Sequence, residues 1–126
     1  MSKQGFKELM VWQRAKQLAV KVYQLTIESS LAKHYALADQ IRRSSVSIPS
    51  NIAEGDERDT DKDSIRFFYI AKGSLAELVT QLEIAREVGL LTQQQTTPVL
   101  TESVELGRML GALIKARTAV NPPHRP

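Results

Sequence analysis

The sequence predicts an all-α protein: an antiparallel up-and-down four-helix bundle forming a single domain over residues 1–126. Three observations carry this expectation. Apolar residues recur at helical spacing in four long segments, with no alternating strand pattern and no internal repeat. Three short connections join the segments, which favours antiparallel neighbours. The chain has 126 residues, 42% apolar and 25% charged, an ordinary globular composition long enough for one core without staples.

The first helix is expected over Phe6 to Glu28, with Val11, Ala15, Leu18, Val22 and Leu25 on one stripe. The second runs from His34 to Gly55, with Leu37, Ile41, Ser45, Ile48 and Ile52 in phase. The third starts at Thr60, where Asp63 three residues on makes a capping box with a short acid. Its stripe is Phe68, Ala71, Leu75, Leu78, Leu82 and Ala85, and Gly89 is placed to stop it. Thr92 with Gln95 is a second capping box and opens the fourth helix, with Leu100, Val104, Gly107, Leu110 and Ile114 as its stripe. Pro98 falls in its second turn, so its first turn is expected to be separate or bent. Order is expected over about residues 5–118, and the tail 119–126, AVNPPHRP, is expected to be disordered.

The stretch SSVSIPSNIAEG, Ser44 to Gly55, sets a proline inside the second helix. Pro49 has no N–H for the carbonyl of Ser45, and its ring crowds that carbonyl. Yet a polar stripe of Gln40, Ser44, Ser47, Asn51 and Glu54 keeps its helical phase across the proline. A loop there would scramble it. The expectation is a helix kinked at Pro49 but not ended. Serine hydroxyls could satisfy the carbonyls the kink frees, and their small size lets a neighbouring helix approach closely. A functional alternative is that the hydroxyls and Asn51 hold a polar ligand.

The segment QIRRSSVSIPSNIAEG resembles the hallmark of the 23S ribosomal RNA intervening-sequence proteins, a bacterial four-helix-bundle family. FKELMVWQRAKQLA and RFFYIAKGSLAELVTQL resemble it in the same order, so the likeness spans about Phe6 to Ile114. The accessory variability protein of diversity-generating retroelements is similar to this family. The resemblance implies a left-handed bundle assembled as a ring-like pentamer. It also implies association with RNA or DNA, and in the retroelement case with a reverse transcriptase. It implies no catalytic residue. The motif positions it marks are Ser44, Ser47, Pro49, Asn51, Glu54, Gly55, Gly73, Ser74 and Glu77. Two features depart from the pattern: Pro98, and the acidic run Glu54 to Asp63. That run carries −4, leaving +7 on the rest of a chain whose net charge is +3. Its end of the molecule should avoid phosphates.

Other chemistry is thinly represented. There is no cysteine, so disulfides and thiolate catalysis are excluded, and a reducing, cytoplasmic setting is compatible. No apolar run has the length of a signal or membrane span, so no membrane partner is expected. Asp59, Asp61 and Asp63 open like a calcium loop, but Ser64 stands where glycine is needed and Ile70 where glutamate is needed. Acids at a helix N-terminus have a sufficient reason in its dipole. His34 and His124 are too far apart in sequence to suggest a metal site, so neither metal nor cofactor is expected. Glu54 and Glu77 are the carboxylates expected to be partly buried, bonding serines or pairing with Arg42, Arg43 or Arg86.

Two surface patterns remain. Lys7, Arg14 and Lys21 recur every seven residues along the first helix and could follow a phosphate backbone. Leu9, Trp12, Ala19, Val20, Tyr23 and Ile27 give the same helix a second apolar face, and Ile70, Ile84 and Val88 give the third helix one. Soluble monomers rarely expose large contiguous apolar patches, so subunit contacts are expected there. The sequence therefore reads as a non-enzymatic homo-oligomer, with RNA or DNA as a candidate ligand. The alternative is an oligomeric scaffold for a protein partner.

Overall fold

The computed structural model describes residues 5–120, the last two by backbone alone. Four helices carry the fold: α1 (Met10–Glu28), α2 (Tyr35–Asp56), α3 (Asp61–Glu87) and α4 (Gln93–Val120). No strand occurs among the described residues. Contacts between successive helices run in opposite sequence directions. Ser44 meets Gln81, Ser47 meets Ser74, and Gly55 meets Ser64 across α2 and α3. Leu75 and Gly107 approach each other midway along α3 and α4, while Asp61 reaches Arg117 near their ends.

Helix boundaries follow local chemistry. Phe6 does not start α1; residues Gly5–Glu8 form a 3-10 turn, and Leu9 is extended at the N-cap. Between α1 and α2 a second 3-10 turn, Ser30–Lys33, drops Leu31 fully into the core, and the Ser29 hydroxyl accepts from the Leu31 amide. The Thr60 hydroxyl caps α3 by accepting from the Asp63 amide at 3.2 Å. After α3, Gly89 adopts φ +85°; its amide bonds the Arg86 carbonyl, and the Leu90 amide bonds that of Ala85. That pair of bonds is a Schellman stop, and only glycine takes the left-handed conformation without a steric penalty. Thr92 and Gln95 exchange side-chain-to-amide bonds of 2.9 and 3.1 Å, a complete capping box for α4.

Both internal prolines sit within unbroken helix. α2 continues through Pro49 and α4 through Pro98, so the first turn of α4 is not a separate element. The Thr97 hydroxyl donates to the Gln93 carbonyl and the Thr96 hydroxyl to that of Thr92, which occupies carbonyls of the turn that Pro98 follows. α4 also extends through Ala119 and Val120, past the expected end at 118; the rest of the proposed disordered tail lies outside the described residues.

The core is a single cluster contributed by all four helices. Leu18, Val22, Ile41, Ile48, Ile52, Phe68, Leu78, Leu82, Leu106 and Leu110 are essentially inaccessible. Each such side chain stabilises the fold by roughly 1.5–3 kcal/mol. The expected stripes of α1, α2 and α3 are the ones that face inward, with Leu25 and Leu37 only half-buried. The stripe of α4 is not. Val99, Ser103 and Leu106 are buried with Leu110 and Ile114, while Val104 is 61% exposed and Leu100 and Gly107 lie on the flank. Both stripes share Leu110 and Ile114, but elsewhere differ by one residue, about 100° of rotation. Ser103 can take the inward position because its hydroxyl donates to the Val99 carbonyl at 2.7 Å.

The tightest approach is at Gly55. A Cβ built there would lie 2.6 Å from Cε1 of Phe68 and 3.0 Å from the Ser64 carbonyl oxygen. Phe68 is fully buried and has nowhere to go. Gly55→Ala should lower the unfolding free energy by about 1–3 kcal/mol through overpacking, outweighing the roughly 1 kcal/mol that alanine adds to a helix. Urea denaturation followed by circular dichroism checks this, and an unchanged or raised midpoint would contradict it.

Candidate functional site

The polar stripe of α2 lies against α3. The Ser44 hydroxyl is 2.7 Å from Oε1 of Gln81, and the hydroxyls of Ser47 and Ser74 are 2.8 Å apart. Asn51 donates its amide to both the carbonyl and the hydroxyl of Ser47. Ser45, on the core side, donates to the Arg42 carbonyl at 3.0 Å. The hydroxyls thus bond carbonyls upstream of the proline or residues on α3; the expected rescue of the Ser45 carbonyl is not what they do. Ser44 and Ser47 bond between helices, and Ser45 within its own. Gln40, Arg43, Ser44, Ser47, Glu77 and Gln81 border an open groove of about 410 Å³ along this seam. Its serines are already bonded to protein partners, which weighs against the polar-ligand alternative.

Glu54 and Glu77 are both exposed, contrary to the expectation of partial burial. Glu54 pairs with Arg58 at 3.1 Å, one turn away on the outer surface. Of the expected arginine partners, Arg43 pairs with Asp39 and Arg86 with Glu83. Arg42 instead donates to the buried Thr26 hydroxyl at 2.7 Å and lies 5.0 Å over the Tyr23 ring, fastening α2 to α1. Gly73, at the other end of the motif, faces open space.

The second apolar face of α1 divides into two parts. Ala19 is buried, and Leu9 and Trp12 pack half-buried against the core, with Phe6 edge-on to Trp12 at 5.1 Å and the Lys16 ammonium over its ring. Val20, Tyr23 and Ile27 remain 43–56% exposed. Val20 and Tyr23, with Ala19, Lys16 and Gln24, meet Val46 and Pro49 of α2 in a groove of about 390 Å³ whose exposed lining is wholly apolar. Val46 is the member that sequence reading misses. It lies off the core stripe of α2, and its spacing of three from Pro49 was the available signal. On α3, Ile70, Ile84 and Val88 are 42–62% exposed.

The basic stripe of α1 meets acids. Nε of Arg14 lies 2.7 Å from Oε2 of Glu102 on α4, with both side chains partly shielded. The hydrogen bond to Glu102, then its charge, raise the Arg14 pKa. The same bond from Arg14 holds the Glu102 carboxyl below the usual range, and the charges of Arg14 and Lys21 add to this. Lys7 lies in the 3-10 turn before the extended Leu9, so it does not continue the heptad phase of α1. The stripe therefore offers two exposed lysines and one committed arginine.

At the other end, Arg117 is a feature the sequence did not announce. Its guanidinium is 2.8 Å from Asp56 and 3.9 Å from Asp61, and 5.3 Å over Phe68. It ties α4 to the turn between α2 and α3. Asp61 and Asp63 fall in the first turn of α3, and no group of side chains among the described residues is arranged to hold a metal ion. His34 is exposed at the head of α2; His124 lies outside the described residues. No helix among them is long and apolar enough to cross a membrane.

The family model of the 23S rRNA-intervening sequence protein matches residues 7–112. The chain belongs to that family. Among solved structures the chain is similar to a protein of unknown function from the S23 ribosomal protein family of Bacteroides thetaiotaomicron VPI-5482, at 26% identity. The match covers 84% of this chain and 99% of that one, with a TM-score of 0.77. No curated protein matches. The family region takes in the Ser44–Gly55 seam, the apolar groove and the Arg14–Glu102 bridge, and stops short of Arg117.

Two outcomes follow for this family member. Ser47→Ala should cost about 1–3 kcal/mol, because the nearly buried Ser74 hydroxyl and the Asn51 amide both lose a partner; chemical denaturation measures it. The Glu102 carboxyl, lowered in the folded state, contributes stability above its unfolded pKa and loses it as pH falls through the folded one. Glu102→Gln should therefore reduce thermal stability near pH 7 and flatten its decline between about pH 5 and about pH 3. Parallel melting curves with an identical pH slope would contradict this.

Proposed function

We propose that the chain is a non-enzymatic helical bundle that works by assembling with copies of itself, as a pentamer, and presents its outer surface to a second partner. The observation that carries assembly is the apolar groove of Val20, Tyr23, Val46 and Pro49, extended along α1 by exposed Ile27. A second apolar strip, Ile70, Ile84 and Val88, lies on α3. Two different strips on one chain suit a heterologous, head-to-tail contact, which closes into a ring when the rotation allows. The number five comes from the resemblance alone. A further role in binding RNA or DNA is supported by the +7 carried outside Glu54–Asp63, repeated in every copy. The competing reading is a scaffold for a protein such as a reverse transcriptase.

Light scattering coupled to size exclusion at micromolar concentration should give five times the 14.1 kDa chain mass. A monomer mass would end the proposal. Val20→Glu with Val46→Glu should yield a folded monomer, because both sites are about half exposed and neither charge is forced into the core. Trp12→Glu would be the poorer probe, since Trp12 also packs on the chain's own core.

A further inference from the structure

Acids and bases are not mixed evenly over the bundle. After Glu105 the sequence has no further acid, yet it still carries Arg108, Lys115, Arg117 and Arg125. Between Asp63 and Glu83, α3 carries Arg66 and Lys72 and a single acid, Glu77, which borders the seam with α2. The fold sets these two acid-poor stretches side by side. The approach of Leu75 to Gly107 and of Asp61 to Arg117 fixes the register. Lys72 then lies level with Arg108, and Arg66 level with Lys115. At about 1.5 Å rise per residue the cations are about 10 Å apart along each helix, and packed helix axes lie about 8–10 Å apart.

All four cations are exposed. Among the described residues Arg66, Lys72 and Lys115 pair with no carboxylate, and Arg108 has only a solvent-exposed contact of 3.2 Å to Glu105. An exposed pair of that kind holds its partner weakly. By contrast, Arg14 on α1 is bonded to Glu102, and Arg117 to Asp56. Arg66 is also held in place, with its guanidinium 4.8 Å over the Phe67 ring. Tyr69 stands 55% exposed on the same outer side of α3 as Arg66. Small residues, Gly73, Ala76, Gly111 and Ala112, lie around and between the charges, and a Cβ at Gly73 or Gly111 would meet nothing within 4 Å. A bulky strand can therefore come close to the helix surfaces.

We propose that the α3–α4 face, through Arg66, Lys72, Arg108 and Lys115, is the surface that binds the phosphodiester backbone of a nucleic acid. This rests on the nucleic-acid reading above and places its contact away from the Lys7, Arg14 and Lys21 stripe. Phosphates supply dense, regularly repeated negative charge, which four exposed cations, three of them without a carboxylate partner, complement without reading sequence. The acidic turn between α2 and α3 borders one end of the face and should keep a strand from running past it.

The test uses the full chain and three fluorescein-labelled probes: a single-stranded RNA of mixed sequence, an RNA hairpin and a duplex DNA, with poly-glutamate as competitor. If about four phosphates are neutralised per copy, a fourfold rise in salt should weaken duplex binding by about 10²-fold. Gly111→Glu places an acid in the middle of the face at an open site and favours helix over glycine, so folding should survive. It should weaken binding at least tenfold, as should the triple change Arg66→Gln, Lys72→Gln, Lys115→Gln. Lys7→Gln with Lys21→Gln should leave binding within about twofold. If the α1 pair abolishes binding while Gly111→Glu does not, this surface is wrong although nucleic acid is bound. If the parent binds none of the probes at low salt, the nucleic-acid reading itself fails. If poly-glutamate of equal charge competes as well as RNA, the face is one for acidic protein and the proposal is overturned.

Discussion

The close approach of α2 and α3 is the constraint on which the rest of the bundle depends. At one end of the seam, Gly55 leaves no room for a side chain, because the Phe68 ring and the Ser64 carbonyl fill that space. The Ser64 hydroxyl closes the same point by donating to the Gly55 carbonyl at 2.6 Å. Further along, serines face the other helix in place of larger apolar residues. Small side chains allow the helices to come together, and the hydroxyls largely buried by that contact need partners. Ser44 with Gln81, and Ser47 with Ser74, are those partners. A slide of one helix past the other would break both pairs, so the polar contacts set register while the isoleucines of α2 supply the burial. No buried side-chain polar atom among the described residues lacks a partner.

Pro49 has a role on the opposite side of the same helix. It is buried, and its ring lines the groove toward α1 with Val46. One short motif therefore serves two surfaces. Ser44 and Ser47 turn toward α3, its isoleucines toward the core, and its proline and valine toward α1. Charge is divided along similar lines. The acidic turn is partly structural, since Asp56 and Asp61 hold Arg117, and Thr60 caps the helix that Asp61 and Asp63 begin. With Asp56 and Asp61 engaged at that turn and Glu102 bonded to Arg14 of α1, Arg66, Lys72 and Lys115 on α3 and α4 are left without a carboxylate partner.

Much of the architecture was legible in the chain. The inward stripes of α1, α2 and α3 could be named residue by residue, as could the glycine stop at Gly89 and both threonine caps. These rest on local rules: periodicity, hydroxyl capping and the left-handed freedom of glycine. The errors share a cause. Val104 and Ser103 compete for the core face of α4, and hydrophobicity favours Val104. The packing chose Ser103 because its hydroxyl is satisfied within its own helix, while Leu106 turns inward with it. Leu9 and Trp12 read as surplus on a straight helix, but the chain breaks before Met10 and folds the 3-10 turn back, so that Phe6 covers Trp12.

The sequence by itself determined that this is a four-helix protein of the intervening-sequence family, that α2 carries its helical phase through a proline, and which residues could be buried. Those properties live in spacing and residue type, which the linear chain displays. Only the tertiary structure decided which charges are free. Arg14 and Arg117 look like surface bases in sequence and are each committed to a carboxylate on another helix. Arg66, Lys72 and Lys115 look no different and are not. Pairing between residues 88 or 61 positions apart, as for Arg14 with Glu102 and Arg117 with Asp56, depends on how helices pack across the bundle. No periodicity within one helix encodes it.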